Sequence, residues 1–307
     1  MTRVAAVDCG TNALRLLISD DGREVVRLNE IVRLGEGVDA TGRISQAALD
    51  RTRAVLTRYA EIIRFEGVTA VRMVATSATR DAENKEDFFA MTEEVLGVRA
   101  EVISGQEEAE LSFRGAILDL ERSRGPFCVI DLGGGSTEFV VGGADGEIYG
   151  AKSVQMGCVR LTERIMRSDP PTDTEVEIAE EYVAERISEV LAEVPVDKAR
   201  TFVGVAGTFT TLSALAQGLE TYDPAEIHCS ELRFDALRVI TRELVGSSSA
   251  QRASHPVIHP GRADVIAGGA VAVEGIINMV ERLETASSIV ISEKDILDGI
   301  VSILAAS

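Results

Sequence analysis

The feature of the sequence that most constrains the fold is a long internal repeat. An apolar run that ends in Asp-x-Gly, at residues 4–12, recurs at residues 127–135, which is 123 residues later from Asp8 to Asp131. A repeat of this length far exceeds a solenoid unit, so it predicts two domains of like topology rather than an array.

The elements after each Asp-x-Gly turn also correspond. A second apolar run (14–18 and 137–141) leads to an Asp-Gly hairpin signal, and a third strand follows at 30–35 and 152–157. Helical periodicity then covers 45–65 and 175–194, and a further strand at 70–75 or 201–206 precedes another helix. The predicted fold is α/β, with the order βββαβα given twice.

The repeat also sets the expected domain boundaries. A charged stretch that ends in Gly-Pro, at residues 121–126, separates a first domain of 1–121 from a second of 122–292. A C-terminal helix at about 293–307 is expected to return to the first domain. Because such sheets bind ligands at the carboxyl ends of their strands, both Asp-x-Gly turns are expected to face one interdomain cleft.

Composition restricts the partners. The chain of 307 residues has 31 basic and 50 acidic residues, a net charge of −19, which disfavours binding to nucleic acids and to anionic membranes. An anionic ligand must therefore be held locally by a metal, by backbone N–H groups or by a few arginines. With no secretory leader pattern and no apolar run of membrane-spanning length, the expected location is the cytoplasm. Four cysteines without CxxC spacing are expected to be reduced packing residues.

The glycine-rich turn of the second repeat is typical of a phosphate site. Gly133, Gly134 and Gly135 are followed by Ser136, so backbone N–H groups can converge on an anion without obstruction by a Cβ atom. Asp131 at the end of the strand can bind Mg²⁺, a hard cation that prefers carboxylate oxygen. The alternative is an ordinary glycine-rich hairpin. The matching Gly10-Thr11-Asn12 turn in the first repeat favours the phosphate site.

Three further segments add candidate phosphate contacts. Thr76 and Ser77 follow a buried strand and begin a helix, where hydroxyl and N–H groups can meet phosphate while Arg80 clamps it. Their counterparts in the second repeat are Gly207 and Thr208. Arg262 is either a second clamp or a surface charge.

Two adjacent glutamates have different interpretations. Ser104 and Glu107 have capping-box spacing, which gives Glu107 a structural role at the start of a helix running towards Leu118. Glu108 is a candidate general base towards water. The alternative for Glu108 is a solvated glutamate of the first helical turn, favoured there by the helix dipole.

Six ordered blocks of sequence resemble a known family. They cover residues 8–16, 75–82, 103–109, 130–138, 207–208 and 261–266. In order, they are similar to the motifs of the exopolyphosphatase/guanosine pentaphosphate phosphohydrolase (Ppx/GppA) family. The resemblance implies the duplicated superfold of actin, sugar kinases and heat-shock chaperones. It also implies Mg²⁺-dependent removal of terminal phosphate.

The resemblance also assigns roles to residues. Glu108 matches the family's catalytic base, Asp131 and Glu138 match its metal-associated acids, and the glycine turn matches its phosphate loop. Phosphate and metal contacts of the first domain are matched by Asp8, Thr11, Asn12 and Arg80.

The function expected on this basis is hydrolysis of terminal phosphate from polyphosphate, with short chains preferred. Glu110 stands where many members have arginine, and the chain ends at Ser307 without the additional domains of longer members, which puts processivity on long polymers in doubt. Guanosine pentaphosphate is the alternative substrate. A small-molecule kinase and an actin-like nucleotide switch remain alternatives on the same superfold. The oligomeric state stays open, with a homodimer among the alternatives.

Overall fold

The computed structural model describes residues 3–305, and the chain divides into two compact units. Unit 1 comprises Met1–Gly115 and Ile296–Ser307, and unit 2 comprises Ala116–Asp295. The predicted boundary at 121/122 lies inside unit 2, because Asp119 pairs there with Lys294 and His228, at 2.6 and 2.9 Å. The shared cleft expected from the repeat stays a prediction.

Unit 1 is one mixed sheet with helices packed on it. Its elements, in chain order, are β1 (Arg3–Cys9), β2 (Ala13–Asp20), β3 (Arg23–Ile31), α1 (Val38–Thr41), α2 (Gln46–Phe65), β4 (Ala70–Ala75), α3 (Ser77–Asp81), α4 (Lys85–Leu96), β5 (Glu101–Val102) and α5 (Gly105–Ala116).

Unit 2 repeats this plan around a second mixed sheet. Its elements are β6 (Phe127–Leu132), β7 (Thr137–Gly142), β8 (Ile148–Val154), α6 (Cys158–Arg164), α7 (Asp173–Glu193), β9 (Thr201–Val205), α8 (Ala206–Ala216), α9 (Pro224–Ile227), β10 (Glu231–Arg233), α10 (Phe234–Gly246), α11 (Ser249–Ala253), α12 (Ile266–Leu283) and β11 (Ser288–Ile291), with short 3₁₀ turns at Arg122–Arg124, Val196–Lys198 and Pro260–Arg262.

The strand orders confirm the duplication. Unit 1 has the order β3-β2-β1-β4-β5, and unit 2, taken from the corresponding edge, has β8-β7-β6-β9-β11-β10. In both sheets the first three strands form an antiparallel meander, and the fourth pairs in parallel with the first. The central strands β1 and β6 are buried along almost their whole length, as expected for strands covered on both faces. The predicted α/β class and its doubled βββαβα order are therefore confirmed.

The last helix, α13 (Ile296–Leu304), returns the chain to unit 1. Its Ile296, Leu297 and Ile300 are buried in one apolar cluster with Val4 of β1 and Leu17 of β2. Gly299 lies so close to Leu111 that an added Cβ would be 2.0 Å from the Leu111 carbonyl oxygen. This close packing fixes α13 on the sheet of unit 1.

Two details differ from the sequence predictions. The third strands, β3 and β8, begin and end earlier than predicted. Strand β3 starts directly after the tight turn of Asp21 and Gly22, whose φ values are 48° and 81°, and it ends at Ile31 because the next N–H groups, of Val32 and Arg33, donate to the Asn12 carbonyl. Strand β8 ends at Val154. Cys229 is exposed, whereas Cys9, Cys128 and Cys158 are buried packing residues as expected. Within residues 3–305, no helix is both long and apolar enough to cross a membrane.

Candidate functional site

The Asp-x-Gly turn of unit 1, between β1 and β2, is hydrogen-bonded to the loop after β3. Gly10 N–H donates to the Ala13 carbonyl at 3.0 Å, and the Thr11 carbonyl accepts from Gly35 N–H at 2.8 Å. A Cβ on Gly35 would lie 2.3 Å from Cγ2 of Thr11, so only glycine allows this contact. The N–H groups of Thr11 and Asn12 have no acceptor within the described part of the chain. This turn therefore presents two backbone donors, and its predicted contact with phosphate stays a prediction.

Asp8, at the end of β1, forms an ion pair within unit 1. Its Oδ2 atom accepts from Nε and Nη2 of Arg15 at 3.0 and 2.6 Å, and the residue is 3% exposed. The two residues are direct cross-strand neighbours in β1 and β2. The predicted metal association of Asp8 stays a prediction, and a cation there would share the carboxylate with Arg15.

Thr76 and Ser77 follow β4 as predicted and are buried. The Thr76 carbonyl accepts from the N–H of Arg80 at 3.0 Å, which closes the first turn of α3. The hydroxyl oxygen atoms of Ser77 and Thr79 are buried, and neither has a hydrogen-bond partner among residues 3–305. A buried hydroxyl without a partner is unfavourable unless a ligand or water completes its bonding.

Glu108 and Arg80 form the central ion pair of unit 1. Nη1 of Arg80 donates to Oε2 of Glu108 at 2.7 Å and to the Ile103 carbonyl at 3.0 Å. Glu108 is 8% exposed, so the alternative of a solvated first-turn glutamate is wrong. A buried carboxylate beside a guanidinium group can direct water while the guanidinium group binds phosphate oxygen.

Glu107 has a different environment. Ser104 Oγ accepts from the Glu107 N–H at 3.1 Å, as in the predicted capping box, but the Glu107 carboxylate accepts from Arg72 at 2.7 Å instead of returning to the start of the helix. Arg72 also binds Glu101. Glu107 therefore has a structural role, as predicted. Its N–H donates to the capping Ser104, and its carboxylate pairs with Arg72 of β4.

The glycine turn of unit 2 rests on the first turn of α6. The Gly133 carbonyl accepts from Cys158 N–H, and the Gly134 carbonyl accepts from the N–H groups of Val159 and Arg160, at 2.9–3.1 Å. No acceptor within residues 3–305 is bound by the N–H groups of Gly134, Gly135 or Ser136. Three consecutive N–H donors without an acceptor are typical of an anion-binding nest, and we call the segment 134–136 the nest.

Asp131 and Glu138 lie beside this nest on adjacent strands. They are direct cross-strand partners and are 8% and 1% exposed. Oε1 of Glu138 accepts from the hydroxyl groups of Ser136 and Ser153, both at 2.7 Å. Ser136 therefore holds the Glu138 carboxylate through its hydroxyl group and contributes its backbone N–H to the nest.

The two buried carboxylates beside the nest, Asp131 and Glu138, suit a hard cation. Two buried carboxylates opposite each other repel unless a cation or hydrogen-bond donors compensate them. Residues 3–305 contain no group of three or more His, Cys, Asp or Glu that can hold a metal ion. Mg²⁺ usually takes one or two carboxylates and completes its shell with water and substrate phosphate, so the pair of Asp131 and Glu138 fits it.

Gly207 and Arg262 meet in unit 2. The Arg262 guanidinium group fills the space where a side chain on Gly207 would begin, with Nη1 1.0 Å from the position of a Cβ atom. Arg262 is half-buried, and its charge lowers the pKa of Cys158, although burial raises that pKa overall. The surface-charge alternative for Arg262 is therefore wrong. Ala206, just before Gly207, has a positive φ of 69°, a strained conformation that often marks functional sites.

Thr208 is buried at the same place, and Gly269 of α12 approaches it closely. A Cβ on Gly269 would lie 2.7 Å from the Thr208 hydroxyl oxygen. Sequence reasoning missed Ser153, which binds Glu138, and Arg160, whose Nε donates to the Gly135 carbonyl at 2.8 Å. Neither carries a local motif, although the repeat pairs Gly35 with Gly157, three residues before Arg160.

The chain has the features expected of a Ppx/GppA phosphatase. These are the doubled sheet, the two Asp-x-Gly turns and the buried Glu108–Arg80 pair. The model of the Ppx/GppA phosphatase family matches residues 19–303, and the chain belongs to this family. It is 51% identical to Exopolyphosphatase 2 of Mycobacterium tuberculosis over 99% of both chains.

Solved structures agree with this membership. A crystal structure of an exopolyphosphatase-like protein is 41% identical, covers 99% of both chains and superposes with a TM-score of 0.97. The Aquifex aeolicus member of the Ppx/GppA family is 30% identical, with 100% of this chain and 99% of that chain covered and a TM-score of 0.81.

Proposed function

We propose that the chain is an exopolyphosphatase, which hydrolyses the terminal phosphoanhydride bond of inorganic polyphosphate and releases phosphate. The observation that carries the proposal is the buried Glu108 carboxylate, 2.7 Å from the Arg80 guanidinium group. This pair provides a base for water and a cation for phosphate within one unit. The relative named Exopolyphosphatase 2 supports polyphosphate as the substrate.

Glu108 and Arg80 have different roles in the proposed reaction at the terminal phosphate. A phosphate oxygen that binds Arg80 competes with Oε2 of Glu108 for the guanidinium N–H groups. The carboxylate is then available to accept a proton from water and to direct that water in line with the terminal phosphorus. Phosphoryl transfer passes through a loose transition state, so catalysis comes mainly from positioning and electrostatic stabilisation.

Each unit, taken by itself, has further groups that suit phosphate oxygen. Unit 2 has the three N–H donors of the nest and the Arg262 guanidinium group beside Gly207, and unit 1 has the N–H groups of Thr11 and Asn12. Donors fixed by the backbone need no reorganisation as charge develops. Such sites compensate for the net charge of −19, which would otherwise repel a polyanion.

Mg²⁺ is the proposed cofactor, with Asp131 and Glu138 as the residues that would hold it. When bound, it would neutralise phosphate charge and polarise the phosphoryl group. Ser136 and Ser153 orient the Glu138 carboxylate through its Oε1 atom. These two hydroxyl donors hold the carboxylate in place.

Guanosine pentaphosphate is the less favoured substrate. Phe209, the aromatic residue next to Thr208, is fully buried in the core and offers no face on which guanine could stack. The candidate sites otherwise consist of N–H groups, hydroxyls, acids and arginines, which bind phosphate rather than a purine ring. The name of the 51% identical relative, Exopolyphosphatase 2, favours polyphosphate as well.

One assay tests the proposal. Phosphate release with Mg²⁺ is measured in parallel from short polyphosphate, long polyphosphate, guanosine pentaphosphate and ATP, without an acceptor. We expect release from polyphosphate. Turnover only with an added acceptor would favour the kinase alternative, and ATP-dependent light scattering would favour an assembling nucleotide switch.

A further inference from the structure

The three carbonyl groups of the glycine turn in unit 2 are all held by α6. The backbone of α6 binds the first two, through the N–H groups of Cys158, Val159 and Arg160. The third, of Gly135, is bound by a side chain, because Nε of Arg160 donates to it at 2.8 Å. Arg160 is 9% exposed, although arginine is seldom buried without a specific role.

Holding these carbonyls fixes the N–H groups on the other side of each peptide plane. The cis peptide bonds within residues 3–305 are at Gly125-Pro126 and Asp169-Pro170, so the peptide units of the turn are trans. In a trans peptide the C=O and N–H bonds point in opposite directions. The Gly133 and Gly134 carbonyls therefore orient the N–H groups of Gly134 and Gly135, and the Gly135 carbonyl orients the N–H of Ser136.

In unit 1 the corresponding carbonyl is bound by backbone N–H groups instead of a side chain. There the third carbonyl of the turn, of Asn12, accepts from the backbone N–H groups of Val32 and Arg33 at 3.0 and 2.8 Å. In unit 2 the corresponding bond comes from a guanidinium group. The third carbonyl therefore has a donor in both repeats, and in unit 2 that donor is the side chain of Arg160.

We infer that Arg160 is a positioning residue of the phosphate nest, which orients the Ser136 N–H towards an oxyanion by holding the Gly135 carbonyl. The inference rests on the proposed function, since it deepens the role of that nest. Arg160 acts through the peptide unit and takes no part in proton transfer. Its Nε bond acts on one of the three donors, the Ser136 N–H.

Backbone amide NMR of the full-length, ¹⁵N-labelled chain tests this with inorganic phosphate as the probe. In the unsubstituted protein, phosphate is expected to shift the amide signals of Gly134, Gly135 and Ser136. In Arg160→Met, the Ser136 shift is expected to be lost while those of Gly134 and Gly135 persist, and phosphate affinity is expected to fall about tenfold, as for one hydrogen bond to a charged group.

Arg167→Met is the matched control. Arg167 is exposed on the chain just after α6, and its Nε also donates to a backbone carbonyl, that of Glu163, at 2.9 Å. The same substitution there removes the same kind of bond outside the nest. We expect all three amide shifts and the phosphate affinity to be retained.

A second variant covers the case in which Arg160→Met does not fold. Arg160→Lys keeps the positive charge but removes the guanidinium Nε, so the Ser136 response is expected to weaken selectively in this variant too. A Ser136 shift of full size in either folded variant, or no shift of the three amides in the unsubstituted protein, overturns the inference. Failure to hydrolyse polyphosphate with the predicted amide pattern intact would overturn only the proposed function.

Discussion

At the scale of single residues, the adjacent Glu107 and Glu108 have different roles because their partners differ. Glu108 is buried against Arg80, whereas Glu107 is half-exposed and binds Arg72. A buried ion pair carries a large desolvation cost, so retaining one beside a candidate phosphate site is better explained by chemistry than by stability.

Glu108→Gln is expected to lower turnover on polyphosphate by about 10²-fold or more, because the amide keeps the size of the side chain but cannot accept the proton. The amide oxygen can still accept from Arg80, so substrate affinity should change little. Steady-state kinetics measure both quantities. Glu107→Gln is the neighbouring control, and a comparable loss of turnover there would move the base to Glu107.

Asp131→Asn is expected to raise the Mg²⁺ concentration needed for half-maximal activity and to lower turnover. The amide preserves the shape of the strand end but removes the anionic ligand opposite Glu138. Titration of activity with Mg²⁺ is the measurement, with Asp145→Asn, at an exposed turn of the same sheet, as control. Identical titration curves for Asp131→Asn and the unsubstituted protein would leave Asp131 a structural turn residue.

At the scale of elements, local sequence patterns predicted most of what local interactions determine. Strand β4 was placed at its observed residues 70–75, and α2 begins at Gln46 because Ser45 caps it through a hydrogen bond from Ala48. Contacts between distant segments were not predictable in this way. The Glu108–Arg80 pair joins α5 to α3, and the bond from Arg160 to Gly135 joins α6 to the turn after β6. Neither bond has a sequence signature, because each depends on how strands and helices are placed.

Gly157→Ala is expected to destabilise the fold by about 1–3 kcal/mol, the usual cost of overpacking, and to displace the glycine turn. An added Cβ would lie 2.2 Å from the carbonyl group of Gly134, and the φ of −108° shows that close approach alone requires glycine here. Thermal unfolding and phosphate affinity are the measurements.

Gly246→Ala is the control for this substitution. Gly246 ends α10 with open space around it, so alanine there should leave stability unchanged or slightly higher. Equal stability and equal phosphate affinity in the two variants would show that the contact between Gly157 and the turn has no role in shaping the nest.

At the scale of the whole molecule, charge opposes the proposed substrate. Fifty acidic residues against 31 basic residues create a field that repels a polyanion, and attraction is confined to local donors and arginines. The net charge therefore affects how much of a polymer can bind at once, whereas the proposed role of the local donors is to hold its end.

Short polyphosphate is accordingly expected to be hydrolysed with higher catalytic efficiency than long polyphosphate or guanosine pentaphosphate. The part of a long chain that extends beyond the local donors meets the negative field, and salt screens that repulsion over roughly 10 Å at 0.1 M ionic strength. Raising the salt concentration should therefore increase the ratio of long-chain to short-chain efficiency, even where it weakens phosphate binding to Arg80 and Arg262 in both. Measuring kcat/KM for the three substrates at two ionic strengths separates the two effects. A ratio that falls with salt would refute the charge argument, and a clear preference for guanosine pentaphosphate would assign the chain to that branch of its family.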